Sequence, residues 1–438
     1  MDTKVCEIGL GAILKTADVF KQLFPGRSAT VVADSNTLEA AGRETLKVLE
    51  EGGVQCAETF IFTDGDLYAE WSFLTRLEEF LSRTDSIAVA VGSGVINDLC
   101  KLSSHHLGRP YMAVGTAASM DGYTSYGASI TFEGIKQTFD CPAPAAIILD
   151  PAVAAAAPRE LVASGYADLI AKIPAGADWI LADALGYDGI DNKAWALVQD
   201  PLRDSLSNPD AAFNGDVAAT EKLARGLIMS GFAMQEIKSS RPASGIEHQF
   251  SHFWDMDGLC INGRHVSHGF KVGIGTLAST AMLEFLLKYG IESIDSGKLA
   301  EKWPSFEKQC QMIESLLPGR PVHLRRAVSE SRAKYSGREE LETQLETLKR
   351  DWNVLKGRIQ AQIMPFDEVR NCLMRVHAPY EPEQIGISRA RFRDTFRAIP
   401  YMRSRFSCAD VILRCSLMDE VEDYLFGTNG IWPAGSDR

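Results

Sequence analysis

Continuous apolar runs alternate with amphipathic segments through the first third of the chain. ATVVAD from Ala29 and SIAVAVGSG from Ser86 are apolar at most positions, which is typical of strands buried on both faces. Between them, WSFLTRLEEFLSR carries apolar residues at helical spacing, including Trp71, Leu74 and Leu77. Strands separated by helices predict parallel pairing in a doubly wound sheet. TSYGASITFEG departs from this alternation and could form two short strands around a turn.

The pattern changes near Asp150. Beyond it, apolar residues follow helical periods and strand signals disappear, with Pro151 and Pro158 at the change. We therefore expect an α/β domain with a doubly wound parallel sheet over residues 1–150, followed by an all-α domain over residues 151–438. The length of 438 residues agrees with two domains. The charged segment REELETQLETLKRDWNVLK predicts a solvated amphipathic helix with no evident function.

Composition narrows the class of protein. The net charge of −13 argues against partners such as nucleic acids or anionic membrane surfaces. The nine cysteines are scattered singly, which indicates reduced thiols in a cytosol. The N-terminal segment does not resemble a signal peptide, and no apolar run approaches the ~20 residues that span a bilayer. We therefore expect a soluble, cytoplasmic protein.

Two predicted strand ends carry residues suited to a dinucleotide. Glycines between a strand and a helix let the backbone approach a pyrophosphate; a plain tight turn is the alternative. The segment comprises Gly92, Ser93, Gly94, Val95, Ile96, Asn97 and Asp98. Asp34 ends the strand that opens at Ala29. An acid there can accept hydrogen bonds from an adenosine ribose and favour NAD over NADP, or it can simply cap the next helix.

A loop rich in small and hydroxyl residues follows another predicted strand. It reads TAASMDGYTSYG and begins at Thr116. Such a loop could wrap a dinucleotide while Asp121 faces a substrate hydroxyl. The alternative is a polar hairpin connection.

The stretch from Ser244 to Lys271 holds four of the eight histidines, namely His248, His252, His265 and His268. His248 and His252 are four residues apart, so a helix would place both on one face. Neutral imidazole is the commonest transition-metal ligand, and the stretch is therefore a candidate metal site. Histidines satisfied at helix termini are the competing explanation.

Asp168 stands among apolar residues on a predicted helix. A carboxylate on an apolar face is costly unless it is paired or bound to a metal. Lys172, one turn further along, is the competing partner. The basic tail carries arginines that could bridge helices or reach an anion: Arg389, Arg391, Arg393, Arg397, Arg403 and Arg405.

Several motifs occur in an order and spacing that resemble a known family. They are VGSGVINDLCK, PYMAVGTAASMDGYTSYGAS, GYADLIAK, GIEHQFSH and HVSHGFKVGIGT. Together they resemble the sn-glycerol-1-phosphate dehydrogenases, especially the bacterial branch. That family lies within the group of iron-type alcohol dehydrogenases, glycerol dehydrogenases and dehydroquinate synthases. The resemblance covers the chain from about Val31 to Gly290, and AASMDGYTS is its most discriminating motif.

The resemblance implies hydride transfer between NAD(H) and the pair sn-glycerol 1-phosphate and dihydroxyacetone phosphate, with NADP less expected. It also implies one divalent metal ion, zinc or nickel rather than iron, and a homodimer or larger homo-oligomer. The metal ligands would be Asp168, His248 and His268. The pyrophosphate would lie against Gly94 to Asp98, and the cofactor site would be completed by Thr116, Ala117, Ala118, Ser119 and Ser125. Substrate contacts would come from Asp121, Asp168 and His252, with Asp121 and His252 as the catalytic side chains.

Alternatives remain open within this resemblance. His252 could be a fourth ligand, and His265 could replace His268. The substrate could be another polyol, or a ketone or aldehyde, phosphorylated or not. A lyase of the dehydroquinate synthase type normally carries a glutamate where Asp168 stands, and a ligand sensor would have lost the metal-binding residues. No compact basic cluster in the sequence marks a phosphate site.

Overall fold

The structure is a computed structural model that describes residues 1–65 and 67–435. The chain forms two compact units. Unit 1 comprises Met1–Leu169, Lys193–Ser240 and Arg375–Ala378. Unit 2 comprises Ile170–Asn192, Arg241–Met374 and Pro379–Arg438. Residue 150 marks the change from strands to helices, but unit 1 continues beyond it, so the domain boundary at residue 150 stays a prediction.

Unit 1 contains a six-stranded parallel sheet in the order β1-β8-β5-β4-β2-β3. The strands β6 and β7 form a separate antiparallel hairpin. The segment TSYGASITFEG, which ends at Gly134 between the two strands, had suggested such a hairpin. The strands are β1 Val5–Ile8, β2 Ala29–Asp34, β3 Phe60–Phe62, β4 Ile87–Gly92, β5 Tyr111–Gly115, β6 Ala128–Phe132, β7 Ile135–Phe139 and β8 Ala146–Leu149. The doubly wound α/β fold is confirmed, and β1 is a strand that the apolar pattern did not predict.

Three neighbouring strands bring their carboxyl ends to one edge of this sheet. In the sheet order β5, β4 and β2 are adjacent, and they end at Gly115, Gly92 and Asp34. β4 is buried at all six positions, as expected for a central parallel strand covered on both faces. Ligands of open α/β sheets bind beyond such carboxyl ends, so the fold places the predicted dinucleotide residues along one edge.

Helices make up most of the remaining structure. Those of the first half are α1 Thr16–Leu23, α2 Ser35–Thr37, α3 Arg43–Glu51, α4 Trp71–Leu81, α5 Gly94–His106, α6 Pro151–Ala156, α7 Arg159–Ile170, α8 Lys172–Ala184, α9 Asn192–Ser205, α10 Pro209–Phe213 and α11 Val217–Ile237. Those of the second half are α12 Ile246–Met256, α13 His268–Lys288, α14 Ser296–Lys302, α15 Phe306–Leu316, α16 Pro321–Lys334, α17 Arg338–Gln362, α18 Phe366–Arg375, α19 Arg389–Ala398, α20 Cys408–Arg414 and α21 Met418–Phe426. Two short strands, β9 Cys260–Ile261 and β10 Arg264–His265, pair between α12 and α13.

The core of unit 2 includes α13. This helix is long and apolar enough to cross a membrane by length and composition, but 78% of its most apolar window is buried inside the protein. It packs along α12. The approach is close at Gly275, where an added Cβ would overlap the carbonyl oxygen of Glu247. The glycines of GFKVGIGT therefore include one that the helix contact requires.

The charged segment after Gly337 forms the predicted amphipathic helix. α17 has 25 residues and packs against α8 and α14. Its apolar stripe is buried at Leu341, Leu345, Leu348, Trp352, Leu355 and Ile359. The helix is solvated only on its other face, so the segment contributes to the core of unit 2.

Candidate functional site

The turn between β4 and α5 in unit 1 combines a required glycine with an open helix start. A Cβ on Gly92 would lie 2.6 Å from the Cβ of Ile96, so the turn itself demands glycine there. Ser93 occupies the N-cap position, and its side chain makes no cap hydrogen bond. The first turn of a helix leaves N–H groups that favour an anion. Gly92 is therefore explained by the tight turn alone, and the open start of α5 also suits a pyrophosphate.

The loop from Thr116 to Ser125 is mostly buried and is held by Lys101, which had no predicted role. Thr116, Ala117, Ala118, Ser119 and Ser125 are all buried. Lys101 on α5 is 1% exposed, and its Nζ donates to the carbonyl oxygens of Gly122 at 2.9 Å, Ser125 at 2.9 Å and Gly127 at 3.0 Å. Burial lowers the pKa of Lys101, and the nearby Asp98 opposes this effect. Lys101 therefore fixes the loop backbone from α5.

Two more groups tie the same loop to the sheet edge. Asn97 Nδ2 donates to the carbonyl of Gly122 at 3.2 Å, and Asn97 Oδ1 accepts from the hydroxyl of Tyr111 at 2.9 Å. The hydroxyl of Tyr123 lies 3.1 Å from the carbonyl of Gly92 and 3.0 Å from that of Ala117. Asn97 is thus committed to the loop, and its predicted role toward a cofactor stays a prediction.

Glycines let two helices of unit 1 approach this loop. A Cβ on Gly165 of α7 would overlap the carbonyl oxygen of Ala118, and one on Gly231 of α11 would overlap the hydroxyl of Thr124. The glycine in GYADLIAK is therefore explained by the approach of α7 to the loop. That approach carries Asp168, three residues further along α7, to the same loop.

Asp121 and Asp168 are linked in unit 1. The backbone N–H of Asp121 donates to Oδ2 of Asp168 at 3.1 Å, and the hydroxyl of Ser230 donates to Oδ2 of Asp121 at 3.3 Å. Asp168 is fully buried, whereas Asp121 is partly exposed. The loop thereby orients the carboxylate to which the family resemblance gives a metal-binding role.

Asp34 is used as a helix cap. Its Oδ1 accepts from the N–H groups of Asn36 at 2.8 Å and Thr37 at 2.9 Å, and Thr37 completes a capping box. The capping explanation is therefore observed directly. Both cap bonds use Oδ1, so contact of Oδ2 with a ribose stays a prediction.

In unit 2, α12 presents His248 with a carboxylate partner. Nδ1 of His248 lies 2.8 Å from Oε1 of Glu247, and both side chains are buried. A carboxylate at Nδ1 selects the tautomer whose Nε2 carries the lone pair, which is the arrangement found behind metal-bound histidines. Sequence reasoning passed over Glu247 because it looked like an ordinary acid in the first turn of a helix.

The start of α12 is anchored by another buried acid. Oδ2 of Asp178 accepts from the N–H of Ile246 at 2.8 Å, and Oδ1 accepts from the N–H of Cys408 at 2.7 Å. Burial, followed by the negative charge of Glu247, raises the pKa of Asp178 to about 7. Two buried carboxylates therefore support the helix that carries His248.

His268 is the first residue of α13, directly after the N-cap Ser267. Its ring centroid lies 5.4 Å from that of His248, and its Nδ1 lies 3.4 Å from the hydroxyl of Ser251. The close packing of α12 and α13 explains this pairing of histidines that are twenty residues apart in the chain.

Asp168 belongs to unit 1, whereas His248 and His268 belong to unit 2. Their joint binding of one metal ion therefore stays a prediction, and the structure adds the pairing of the two histidines. Two imidazoles and a carboxylate suit zinc, nickel or iron, and three protein ligands leave a position open for substrate. The residues therefore fit a catalytic divalent ion.

His252 lies one turn along α12 from His248, with ring centroids 6.4 Å apart. Burial lowers the pKa of His252 well below 6.5, and the positive charge of Arg403 lowers it further. The imidazole is consequently neutral at pH 7.

His265 lies on β10, where it is exposed and its Nδ1 lies 3.4 Å from the Sγ of Cys260.

A family model described as iron-containing alcohol dehydrogenase matches residues 7–158. A glycerol-1-phosphate dehydrogenase (NAD(P)+) from Bacillus velezensis is 33% identical over 290 residues, which are 66% of this chain and 72% of the relative. A protein of the same name from Methanosarcina mazei is 33% identical over 270 residues, which are 62% of this chain and 74% of the relative.

The chain belongs to the glycerol-1-phosphate dehydrogenase family. The family lies within the iron-containing alcohol dehydrogenases, and the chain is accordingly an enzyme of the oxidoreductase class. Solved structures agree on the fold. A glycerol dehydrogenase from Schizosaccharomyces pombe superposes with a TM-score of 0.59 at 16% identity, covering 96% of this chain and 90% of the other. A probable glycerol dehydrogenase from Sinorhizobium meliloti gives 0.58 at 17% identity, covering 97% and 98%.

Proposed function

We propose that the chain catalyses the reversible, NAD-dependent reduction of dihydroxyacetone phosphate to sn-glycerol 1-phosphate. The observation that carries the proposal is the pairing of His248 and His268 in unit 2, whose ring centroids lie 5.4 Å apart, with Glu247 at Nδ1 of His248. The loop that donates to Asp168 is also the family's most discriminating motif. Relatives that carry the name glycerol-1-phosphate dehydrogenase support the choice of substrate.

Each residue of the proposed site has a definable task. When bound, a divalent ion would polarise the substrate carbonyl, and the nicotinamide would exchange hydride with its carbon. Neutral His252 can hold the substrate oxygen through a hydrogen bond or pass a proton to it. Asp121, steadied by Ser230, would accept a hydrogen bond from a substrate hydroxyl. Lys101 keeps this loop in place.

We further propose zinc or nickel as the metal, with iron less favoured, and NAD as the preferred dinucleotide. Asp34 supports the second choice because its carboxylate stands at the end of β2, where it would repel a 2′-phosphate. Replacing Asp34 with glycine should weaken discrimination against NADPH. An unchanged preference would leave Asp34 with its capping role alone. A cytoplasmic homodimer or larger homo-oligomer completes the proposal.

A substrate panel tests the proposal. Metal-replete enzyme with NADH should turn over dihydroxyacetone phosphate with a kcat/KM well above that for dihydroxyacetone, glyceraldehyde or sugar phosphates. Higher kcat/KM with an unphosphorylated ketone or with an aldehyde would instead support a related dehydrogenase with another substrate.

A further inference from the structure

Met120 packs against the first residue of α5 in unit 1. A Cβ added to Gly94 would lie 3.3 Å from Cε and 3.4 Å from Cγ of Met120, so the thioether side chain covers the start of the helix. Its side chain is partly exposed. A methionine in a loop of small and polar residues predicts neither a ligand nor a catalytic group, so the sequence gave Met120 no role. The contact places it at the turn that we expect to hold a pyrophosphate.

Hydrogen bonds on both sides hold Met120 in this position. Sδ of Met120 accepts from the N–H of Gly122 at 2.8 Å, and the carbonyl of Gly122 accepts from Nζ of Lys101 at 2.9 Å. The next residue is fixed as well, because the N–H of Asp121 donates to Oδ2 of Asp168 at 3.1 Å. Methionine is ordinarily a flexible side chain. Here its sulfur and the adjoining backbone are tied down, so it presents a defined surface beside α5.

The strand order decides which half of a dinucleotide meets Met120. β4 lies between β2 and β5 in the sheet. Asp34 ends β2, whereas Met120 belongs to the loop that follows β5, so the two residues lie on opposite sides of the turn at Gly94. A dinucleotide lies across the carboxyl ends of the strands with its pyrophosphate at a helix N-terminus. With the adenosine toward Asp34, the nicotinamide half extends toward Met120.

The neighbouring Asp121 points to the same half of the cofactor. Hydride transfer requires the nicotinamide to lie against the substrate, for which Asp121 is the proposed hydroxyl acceptor. A nicotinamide that extends from the start of α5 to a substrate held by Asp121 passes Met120, which is joined to Asp121 in the chain. A thioether suits this position because sulfur makes favourable contacts with aromatic rings.

We propose that Met120 contacts the nicotinamide half of bound NAD(H) and positions it for hydride transfer to the substrate. This inference rests on the proposed function. Met120 forms the wall between the pyrophosphate turn and the substrate, and its bulk limits how far the nicotinamide can move from the productive position.

The first test compares Met120→Ala and Met120→Leu with the control Met312→Ala, which replaces an exposed methionine of α15. We expect Met120→Ala to raise the Kd for NADH, followed by fluorescence, about 10-fold because the apolar contact is lost. Its kcat with dihydroxyacetone phosphate should fall about 10-fold as the nicotinamide loses its wall. Met120→Leu keeps a similar volume and should stay within about 3-fold of wild type. AMP lacks the nicotinamide half and should bind all four proteins equally.

Oxidation of the wild-type protein by hydrogen peroxide tests the contact without any variant. Peroxide converts the thioether to a sulfoxide and is itself reduced to water, and peptide mass spectrometry reports each methionine separately. Saturating NAD+ should slow the oxidation of Met120 about 10-fold because the bound cofactor keeps peroxide from Sδ. AMP should not slow it, and the exposed Met312 should be oxidised at the same rate throughout.

The two tests separate this inference from the proposed function. If NAD+ protected Met120 but the metal-replete enzyme did not reduce dihydroxyacetone phosphate, the proposed substrate would be wrong and the role of Met120 would stand. If the enzyme reduced that substrate while Met120→Ala matched Met312→Ala in NADH affinity and kcat, and NAD+ left Met120 unprotected, the inference would be refuted. Should Met120→Ala fail to fold, the protection of Met120 in the wild type decides alone.

Discussion

Glu247 offers the sharpest test of how the candidate metal site is organised. The side chain is fully buried, and its Oε1 lies 2.8 Å from Nδ1 of His248. Replacing Glu247 with alanine removes the group that fixes the tautomer and the ring orientation. Loss of such a partner costs metal affinity about 10- to 100-fold, or about 1.4 to 2.7 kcal/mol. Glu247→Gln keeps an acceptor for Nδ1 but removes the charge, so we expect a loss near the lower end of that range.

The assay titrates Zn²⁺ or Ni²⁺ into chelator-stripped protein against a competing chromophoric chelator. Glu292→Gln, at an exposed position of the same unit, serves as the matched control and should leave affinity unchanged. Circular dichroism verifies that the variants are folded. Metal affinity of folded Glu247→Ala within 3-fold of wild type would refute the assigned role of Glu247 and weaken the case for His248 as a ligand.

Three further predictions concern the metal, the loop and pH. Asp168→Ala and His268→Ala should each abolish bound metal and activity while NADH binding, followed by fluorescence, stays nearly intact; retained metal in His268→Ala would move the ligand role to another histidine. Gly165→Ala should lose about 1–3 kcal/mol of unfolding free energy in urea because its Cβ would overlap the loop backbone, whereas Gly189→Ala, with open space around it, should not. The pKa of Asp178 is raised from its ordinary 3.8 to about 7 in the folded protein. Between about pH 4 and pH 7 the folded protein therefore keeps a proton on Asp178 that the unfolded chain has released. Its contribution to stability therefore falls as pH rises from about 4 to 7 and is level above that, and Asp178→Asn should remove this slope; an identical slope in both proteins would contradict the assignment.

The apolar pattern predicted those strands that are buried on both faces of the sheet. Strands such as ATVVAD are apolar at most positions because both faces of a parallel sheet are covered, and the pattern predicted them. β1 escaped prediction because VCEI is short and half-buried at every position. Pro174 lies in the first turn of α8, where proline is tolerated, because α7 ends at Ile170 and α8 begins at Lys172.

The resemblance named candidate ligands but not the residues that support them. Motifs record residues at fixed spacing, so Asp168, His248 and His268 could be named from the sequence, and their role as metal ligands stays a prediction. Lys101 and Glu247 gave no signal, since a charged residue on a helix is ordinarily solvated and only the tertiary contacts bury these two. The positions of the arginines in unit 2 were similarly hidden, since Nη1 of Arg241 donates to the carbonyl of Phe406, which is far away along the chain.

Stereospecific reduction of dihydroxyacetone phosphate is the most direct test of the central claim. Zinc- or nickel-loaded enzyme would be mixed with NADH and this ketone, and the product offered to a dehydrogenase specific for sn-glycerol 3-phosphate. We expect NADH consumption that requires the metal and a product that the coupling enzyme does not oxidise. Failure of the metal-loaded enzyme to consume NADH with dihydroxyacetone phosphate, or a product that the coupling enzyme oxidises fully, would contradict it.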